Sequence, residues 1–178
     1  LASVGVTSYV VPRERVREEI GTDAYFGALA VEGSGLLHPG RYFAGLAAAA
    51  DRAGADLHEG IRAQSIRRQA DGRFVVETSR GAILARNVIL GTNGYTGGLT
   101  PSLRRRILAI GSYIIATEPL ELNRAKALIR DGEAVANTNF IVDYYRITGD
   151  TRMLFGGRAS YSTFEPPNLG AYMRPRMT

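Results

Sequence analysis

The stretch that decides the fold is IRAQSIRRQADGRFVVETSRGAILAR, residues 61–86. Three runs of strand-forming residues are separated by two short turns, and Asp71-Gly72 in the first turn is a strong hairpin signal. Side chains in the middle run, residues 73–78, alternate between two faces as they do in a β-strand with one buried side. The sequence therefore predicts a three-stranded antiparallel meander.

An apolar run, NVIL at residues 87–90, continues directly from the meander and ends in GTNG, residues 91–94. The run does not alternate, which indicates a strand buried on both faces, as in a parallel sheet. Glycines at the carboxyl end of such a strand let the backbone approach a ligand closely. These residues leave two interpretations equally open: a cofactor-binding loop, or a simple turn with positive φ at Gly91 and Gly94.

Helices and strands share the rest of the chain, so we predict a mixed α/β fold. The clearest helix covers residues 39–53, where apolar side chains recur every three or four positions before Gly54. Shorter helices are predicted at residues 13–20, from Thr100 onward and at 120–129. Further strands are predicted at 24–31, 56–59, 107–118, 140–146 and 152–157, and a loop at 161–178.

The hairpin at residues 140–157 carries two adjacent tyrosines and an arginine, followed by a diglycine at Gly156. Neighbouring side chains of a strand point to opposite faces, so Tyr144 and Arg146 share one face and Tyr145 takes the other. A flat ring beside a guanidinium suits a small anionic or planar ligand. The alternative is that these are ordinary strand residues, since tyrosine is a good strand former.

Composition narrows the classes of function. The chain has 178 residues, enough for one core or for parts of two domains. Its formal charge of +5 comes mostly from scattered arginines, with one dense run at residues 104–106. A polyanion-binding surface needs a continuous basic stripe, so we expect no nucleic-acid partner. The absence of cysteine excludes disulfides, thiolate metal sites, a cysteine nucleophile and a cysteine-tethered flavin within this stretch.

Targeting signals are not expected. The longest apolar run, residues 107–116, is shorter than the roughly 20 residues that a membrane helix needs. The first residues have neither a basic start nor a sustained hydrophobic segment, so we expect no signal peptide and a cytoplasmic location. The sequence begins with Leu1 rather than methionine, which suggests a piece of a longer protein.

Candidates for catalysis and for metal binding are few. His38 and His58 are the two histidines and lie far apart in sequence, so no metal site is expected. Gly33 and Gly35 begin a dinucleotide-like pattern, but His38 stands where the third glycine is required. We expect His38 to cap the helix at residues 39–53, with active-site lining as the alternative. No pair of nucleophile and base stands out, and we predict no catalytic residue.

The order of these segments resembles the D-amino-acid-oxidase (DAO) family of FAD-dependent oxidoreductases, nearest its gamma-glutamylputrescine oxidoreductase and glycine/sarcosine-oxidase-like branch. The resemblance covers most of the chain and depends on order and spacing rather than on one motif. The segments are EGSGLLHP (32–39), the alanine-rich helix, GADLHE (54–59), the meander, NVILGTNGYT (87–96), IATEPL (115–120), YYR (144–146) and FGGR (155–158).

The resemblance implies a division into domains. Residues 36–100 would be part of an FAD-binding Rossmann-like domain with a β-meander. Residues 1–35 and 101–178 would belong to a substrate domain built on a mixed or antiparallel sheet. The residues implied to lie near FAD are Ala63, whose backbone would meet the adenine, and Gly91, Thr92, Asn93 and Gly94. Tyr144 or Arg146 would face the substrate over the flavin.

The implied reaction is oxidation of the C–N bond of a small amine or amino acid, by hydride transfer to FAD and hydrolysis of the resulting imine. Family members also carry a strand–GxGxxG–helix unit and a closing C-terminal segment, and neither is found in this sequence. We therefore expect the chain alone to be inactive and not to retain FAD. The alternatives are a non-catalytic α/β binding module and a basic nucleic-acid-associated domain.

Overall fold

A computed structural model describes residues 5–161 and 167–177 of the chain. It divides into two compact units. The first unit combines Leu1–Leu37 with Ile110–Thr178, and the second is His38–Ala109. Each unit has its own sheet structure and is described separately.

The described residues form nine strands and five α-helices. The strands are β1 (Ser8–Pro12), β2 (Gly27–Val31), β3 (Ala63–Arg68), β4 (Phe74–Thr78), β5 (Gly81–Ala85), β6 (Gly111–Ala116), β7 (Val135–Ala136), β8 (Tyr144–Ile147) and β9 (Met153–Ser160). The helices are α1 (Val16–Glu19), α2 (Pro39–Arg52), α3 (Pro101–Arg104), α4 (Leu122–Leu128) and α5 (Leu169–Met173).

The second unit contains the predicted meander, an antiparallel sheet in the order β3-β4-β5. Gly72 has φ +85° in the hairpin turn, a value that glycine adopts without a steric cost. Helix α2 begins after His38, whose side chain accepts a hydrogen bond from the backbone N–H of Arg41. The meander, the helix and the capping role of His38 are therefore confirmed.

Two predicted strands of the second unit are wrong. Residues 87–90 and 56–59 have no strand geometry and belong to none of the three sheets of the described chain. Ile89 is 94 % exposed, although its apolar surroundings in sequence predicted a buried strand. A strand needs a neighbour to satisfy its backbone groups, and neither segment pairs with a described strand.

The first unit contains an antiparallel ribbon of β1 and β2 and a four-stranded antiparallel sheet in the order β6-β9-β8-β7. Its core includes Val11, Val16 and Ile20, with Tyr25 packed against them. Ile20 also forms an isolated bridge with Ile129, just after α4. The predicted hairpin of β8 and β9 is confirmed, whereas β1 was not predicted.

The predicted C-terminal loop is wrong over residues 169–176, whereas residues 161, 167 and 168 have no helix or strand geometry, as predicted. Residues 169–173 form α5 and are followed by a short 3-10 turn, Arg174–Arg176. Asn168 begins this helix by accepting a hydrogen bond from the backbone N–H of Ala171. Residues 162–166 and 178 of the predicted loop lie outside the described residues. The mixed fold with antiparallel sheets is confirmed.

No helix within residues 5–161 and 167–177 is long and apolar enough to cross a membrane.

Candidate functional site

The central strands of the four-stranded sheet present two faces of different character. Cross-strand pairing places Tyr144 opposite Gly156 and Arg146 opposite Leu154, with Ile114 next to Gly156 on β6. We call this side the open face; it comprises Ile114, Ala116, Ala136, Tyr144, Arg146, Leu154 and Gly156. We call the opposite side the packed face; it comprises Tyr113, Ile115, Val135, Tyr145, Phe155 and Gly157.

Tyr145 packs into the first unit from the packed face. Its ring stacks on Phe155, with centroids 5.8 Å apart and planes inclined by 14°. Its hydroxyl donates a hydrogen bond of 3.2 Å to the hydroxyl of Tyr25. Burial, and then this hydrogen bond, raise the pKa of Tyr145 above its ordinary value. The phenol therefore stays protonated and acts as a structural residue.

Tyr144 lies on the open face and is 37 % exposed. Its ring lies directly over Gly156, where a Cβ atom would overlap the ring atoms and come within 2.7 Å of the hydroxyl oxygen. The hydroxyl lies 3.4 Å from Oγ of Ser112. Glycine at position 156 is thus what allows the tyrosine ring to rest against the backbone of β9.

Arg146 is half-buried on the same face, two residues further along β8. Its Nη1 donates a hydrogen bond of 3.2 Å to the carbonyl oxygen of Leu37. No described carboxylate forms an ion pair with it. A guanidinium has five N–H donors, so Arg146 keeps donors that an anion can use. The alternation of β8 therefore brings a ring and a cation to one face, as the sequence predicts.

Asp143 is a buried carboxylate that the sequence prediction missed. It is 5 % exposed, and its Oδ2 accepts hydrogen bonds from Nδ2 of Asn137 at 2.9 Å and from Arg176. Burial by itself would raise the pKa of Asp143, but hydrogen bonds from Arg176 and Asn137 outweigh it and hold the pKa below its ordinary value. The only signal in the sequence was the position of an aspartate directly before Tyr144.

The glycine loop of the second unit differs from the simple-turn interpretation. Neither Gly91 nor Gly94 has a positive φ, and Asn93 adopts φ +45° instead. Thr92 and Thr96 are joined through their hydroxyl groups at 2.8 Å, and Thr96 is buried. A Cβ atom at Gly91 would meet nothing within 4 Å, so open space adjoins the loop at that point.

Ala63 presents its backbone at the edge of the meander. Ala63 lies opposite Thr78 on β4. In the next pair, Arg62 opposite Ser79, the N–H of Ser79 donates a hydrogen bond of 2.9 Å to the carbonyl oxygen of Arg62. In antiparallel strands hydrogen-bonded and non-hydrogen-bonded pairs alternate, so the N–H and C=O of Ala63 point away from β4. Since β3 is an edge strand and Ala63 is exposed, these two groups face the open edge of the sheet.

Within the described part of the chain, no group of three or more His, Cys, Asp or Glu side chains is arranged to hold a metal ion.

Comparison with known proteins gives one family and several relatives. The DAO family, FAD dependent oxidoreductase, matches residues 1–177. The probable oxidoreductase OrdL of Rhizobium meliloti is 35 % identical over 162 residues, which are 91 % of this chain and 37 % of that protein. Gamma-glutamylputrescine oxidoreductase of Escherichia coli is 32 % identical over 163 residues, 91 % of this chain and 38 % of that protein.

A solved structure with a similar fold is L-proline dehydrogenase from P. horikoshii. The TM-score is 0.77 at 17 % sequence identity, and the likeness covers 97 % of this chain and 47 % of that one. The fold is therefore shared although few residues are identical. The chain spans less than half the length of each of these relatives.

Proposed function

Because the chain belongs to the DAO family of FAD-dependent oxidoreductases, we propose that the protein containing it oxidises the C–N bond of a small amine or amino acid. The name of the Escherichia coli relative, gamma-glutamylputrescine oxidoreductase, supports an amine substrate. Bound FAD would accept hydride from the carbon that bears the nitrogen, leaving an imine that water hydrolyses. A cytoplasmic location stays a prediction of the sequence.

The observation that carries the proposal is the pair of Tyr144 and Arg146 on the open face. Arg146 has no described ion-pair partner, so it can bind a substrate carboxylate through two parallel hydrogen bonds. Tyr144 is held over Gly156 with its ring partly exposed, so it can pack against the substrate chain or donate its hydroxyl. These roles are binding and orientation, and we assign a general base to neither residue.

We further propose that residues 36–100 are part of the FAD-binding domain and that residues 1–35 and 101–178 are part of the substrate domain. The division of the chain into His38–Ala109 and the remainder supports this assignment.

Two features of the second unit fit FAD. The backbone N–H and C=O of Ala63 face an open edge, where they can pair with the polar edge of adenine. Open space at Gly91 admits a planar group beside Thr92, Asn93 and Gly94. The glycine motif that binds the pyrophosphate in this family is not among the 178 residues. We therefore propose that the chain alone neither retains FAD nor turns over.

The experiment is to purify the full-length protein and record its flavin absorbance before and after adding amines and amino acids under anaerobic conditions. Bleaching of the flavin band by one of them supports the proposal. A full-length protein that carries no flavin, or whose flavin no amine reduces, contradicts it and leaves a binding module as the function. The 178-residue chain with added FAD is expected to show no spectral shift.

The role of Arg146 is tested with two substrates that differ only in a carboxylate. Arg146→Ala should raise KM for the amino acid about tenfold or more, the size of one charge-assisted pair, and leave KM for the corresponding plain amine nearly unchanged. Arg130→Ala is the matched control, because Arg130 is exposed and paired with Asp131. Equal effects of Arg146→Ala on both substrates would contradict the anchor.

A further inference from the structure

Asp143 and Tyr144 are neighbours in sequence and lie on opposite faces of the sheet, each against one glycine of β9. The ring of Tyr144 covers Gly156 on the open face. On the packed face a Cβ atom at Gly157 would lie 2.6 Å from Oδ1 of Asp143. The diglycine therefore accepts two side chains that approach the backbone of β9 from opposite sides.

Asn137 contacts both the carboxylate and the backbone of Asp143, and Asn139 contacts the carboxylate. Asn137 donates its side-chain amide to Oδ2 and also accepts the backbone N–H of Asp143 on its Oδ1, at 3.0 Å. Nδ2 of Asn139 lies 3.4 Å from Oδ2. The backbone N–H of Asn137 donates to the carbonyl oxygen of Asp143 at 3.0 Å. The chain entering β8 is consequently fixed immediately before Tyr144.

The remaining contact comes from a distant part of the chain. Arg176, in the turn after α5, donates from Nε to Oδ1 at 3.3 Å and from Nη2 to Oδ2. The same C-terminal segment is seated on the packed face through Tyr172, whose ring meets that of Tyr113 edge-on with centroids 6.2 Å apart. The guanidinium of Arg158 lies 4.8 Å from the centre of the Tyr172 ring. Asp143 thus joins the C-terminal segment to the first residue of β8.

We propose that Asp143 is a positioning residue for substrate binding. Arg176 binds its carboxylate on the packed face, and Asp143 thereby holds the ring of Tyr144 in place over Gly156 on the open face. The role of Tyr144 toward substrate rests on the proposed function, whereas the coupling between Arg176 and β8 does not. Because the carboxylate is buried and fully hydrogen-bonded, loss of either partner leaves polar groups unsatisfied and frees the start of β8.

The test uses the full-length protein and the variants Asp143→Asn, Arg176→Gln and their combination. Asp143→Asn keeps the side-chain shape, and Arg176 is partly exposed, so the second variant disturbs packing least. Asp150→Asn is the matched control: Asp150 is exposed and also pairs with an arginine, Arg152, in the same hairpin. Thermal unfolding of each variant confirms that it is folded before it is assayed.

Two readouts are needed. Without substrate, amide hydrogen exchange is expected to become faster in both residues 144–146 and residues 169–176 in either single variant. In Asp150→Asn it should change in neither segment.

With substrate, each single variant should raise KM about tenfold and leave kcat within about twofold of the wild type. A tenfold change is about the size of one hydrogen bond to a charged group. The double variant should be no worse than the single ones, because both remove the same interaction. Arg176→Lys should restore part of the loss.

The outcomes separate the inference from the proposed function. Faster exchange in residues 169–176 alone would overturn it, since Asp143 would then anchor only the C-terminal segment. An unchanged KM despite faster exchange in residues 144–146 would also overturn it. If no amine reduces the flavin of the wild type, the proposed function fails, and the exchange measurement alone decides whether Arg176 and β8 are coupled through Asp143.

Discussion

The stability that Tyr145 contributes to the fold depends on pH. Burial and the hydrogen bond to Tyr25 raise the pKa of Tyr145, whereas a tyrosine in the unfolded chain titrates near about 10. As the pH rises the unfolded chain loses its proton first, so the contribution of Tyr145 is complete below about pH 10 and is lost progressively above it.

Replacing Tyr145 by phenylalanine should remove that pH dependence. We expect Tyr145→Phe to lower the free energy of unfolding by about 1 kcal/mol at neutral pH, because the stacking on Phe155 remains and one hydrogen bond is lost. Between about pH 9 and about pH 11 the variant should lose stability less steeply than the wild type. Urea unfolding across that range measures both quantities. Tyr42→Phe, at a largely exposed position, should match the wild type.

Gly156 is constrained by the ring above it rather than by its own backbone, since its φ is not positive. In Gly156→Ala the new methyl group overlaps Tyr144, so the ring must leave its position. We expect a loss of about 1–3 kcal/mol in the free energy of unfolding and a raised KM in the full-length protein. Gly149→Ala, in the same hairpin with open space around it, should change stability by no more than about 0.5 kcal/mol. Equal stabilities of the two variants would contradict the contact.

At the scale of elements, a close approach of backbones joins the segment after α1 to the end of α4. The N–H of Gly21 donates to the carbonyl oxygen of Leu128 at 2.9 Å. A Cβ atom at Gly21 would overlap the carbonyl oxygen of Ala127, and a backbone atom cannot rotate away. Gly21→Ala should therefore separate the two segments and lower the free energy of unfolding by about 1–3 kcal/mol.

The measurement is a urea unfolding curve of Gly21→Ala beside that of Gly35→Ala, whose position has open space and no positive φ. Only the first variant should shift the midpoint, and hydrogen exchange should quicken at Ile20 and Ile129, which form the bridge between the segments. A fall in stability of the same size in both variants would contradict the contact, because the reduced flexibility of the unfolded chain in Gly→Ala acts in the opposite direction.

Elements whose contacts are local could be read from the sequence. The meander depends on turns such as Asp71-Gly72, and α2 on the cap at His38 and an unbroken apolar repeat. Strand β1 could not be read, because Ser8 pairs with Val31 and the strand ends in Pro12, which weakens a strand signal. Helix α5 is short and contains Gly170, so its own residues favour it weakly.

The candidate site also has a part that local sequence predicts and a part that it does not. The shared face of Tyr144 and Arg146 follows from the two-residue period of a strand and needs no knowledge of the rest of the fold. The buried state of Asp143 depends on Arg176, 33 residues further along, and no local pattern reports such a contact. The apolar run at residues 87–90 predicts a buried strand, but composition shows which conformation a segment prefers and not whether a partner strand pairs with it.

At the scale of the whole molecule, the two units differ in how much apolar surface they bury. Every buried hydrophobic side chain of the described residues lies in the first unit. Within His38–Ala109, all of which the structure describes, large apolar side chains remain exposed, among them Phe43, Ile89 and Tyr95. Burial of apolar surface is the main source of folding free energy, so the second unit gains little folding free energy from its own contacts.

Residues 38–109 expressed alone should therefore lack a cooperative unfolding transition. We expect circular dichroism during urea unfolding to change gradually, and a dye that binds apolar surface to bind the fragment without denaturant. A sharp transition of the isolated fragment would contradict this expectation.

The side chains of Asp143 and Tyr144 contact the backbone at Gly157 and Gly156, and these contacts limit how the sequence can diverge during evolution. We expect a side chain at position 156 to cost least where position 144 carries no ring, and a side chain at position 157 to depend in the same way on position 143. The two dipeptides should thus be inherited as one unit. An alignment of homologous proteins should show substitutions at position 156 together with substitutions at position 144, and substitutions at position 157 together with those at position 143. Steric exclusion would be the cause of this covariation.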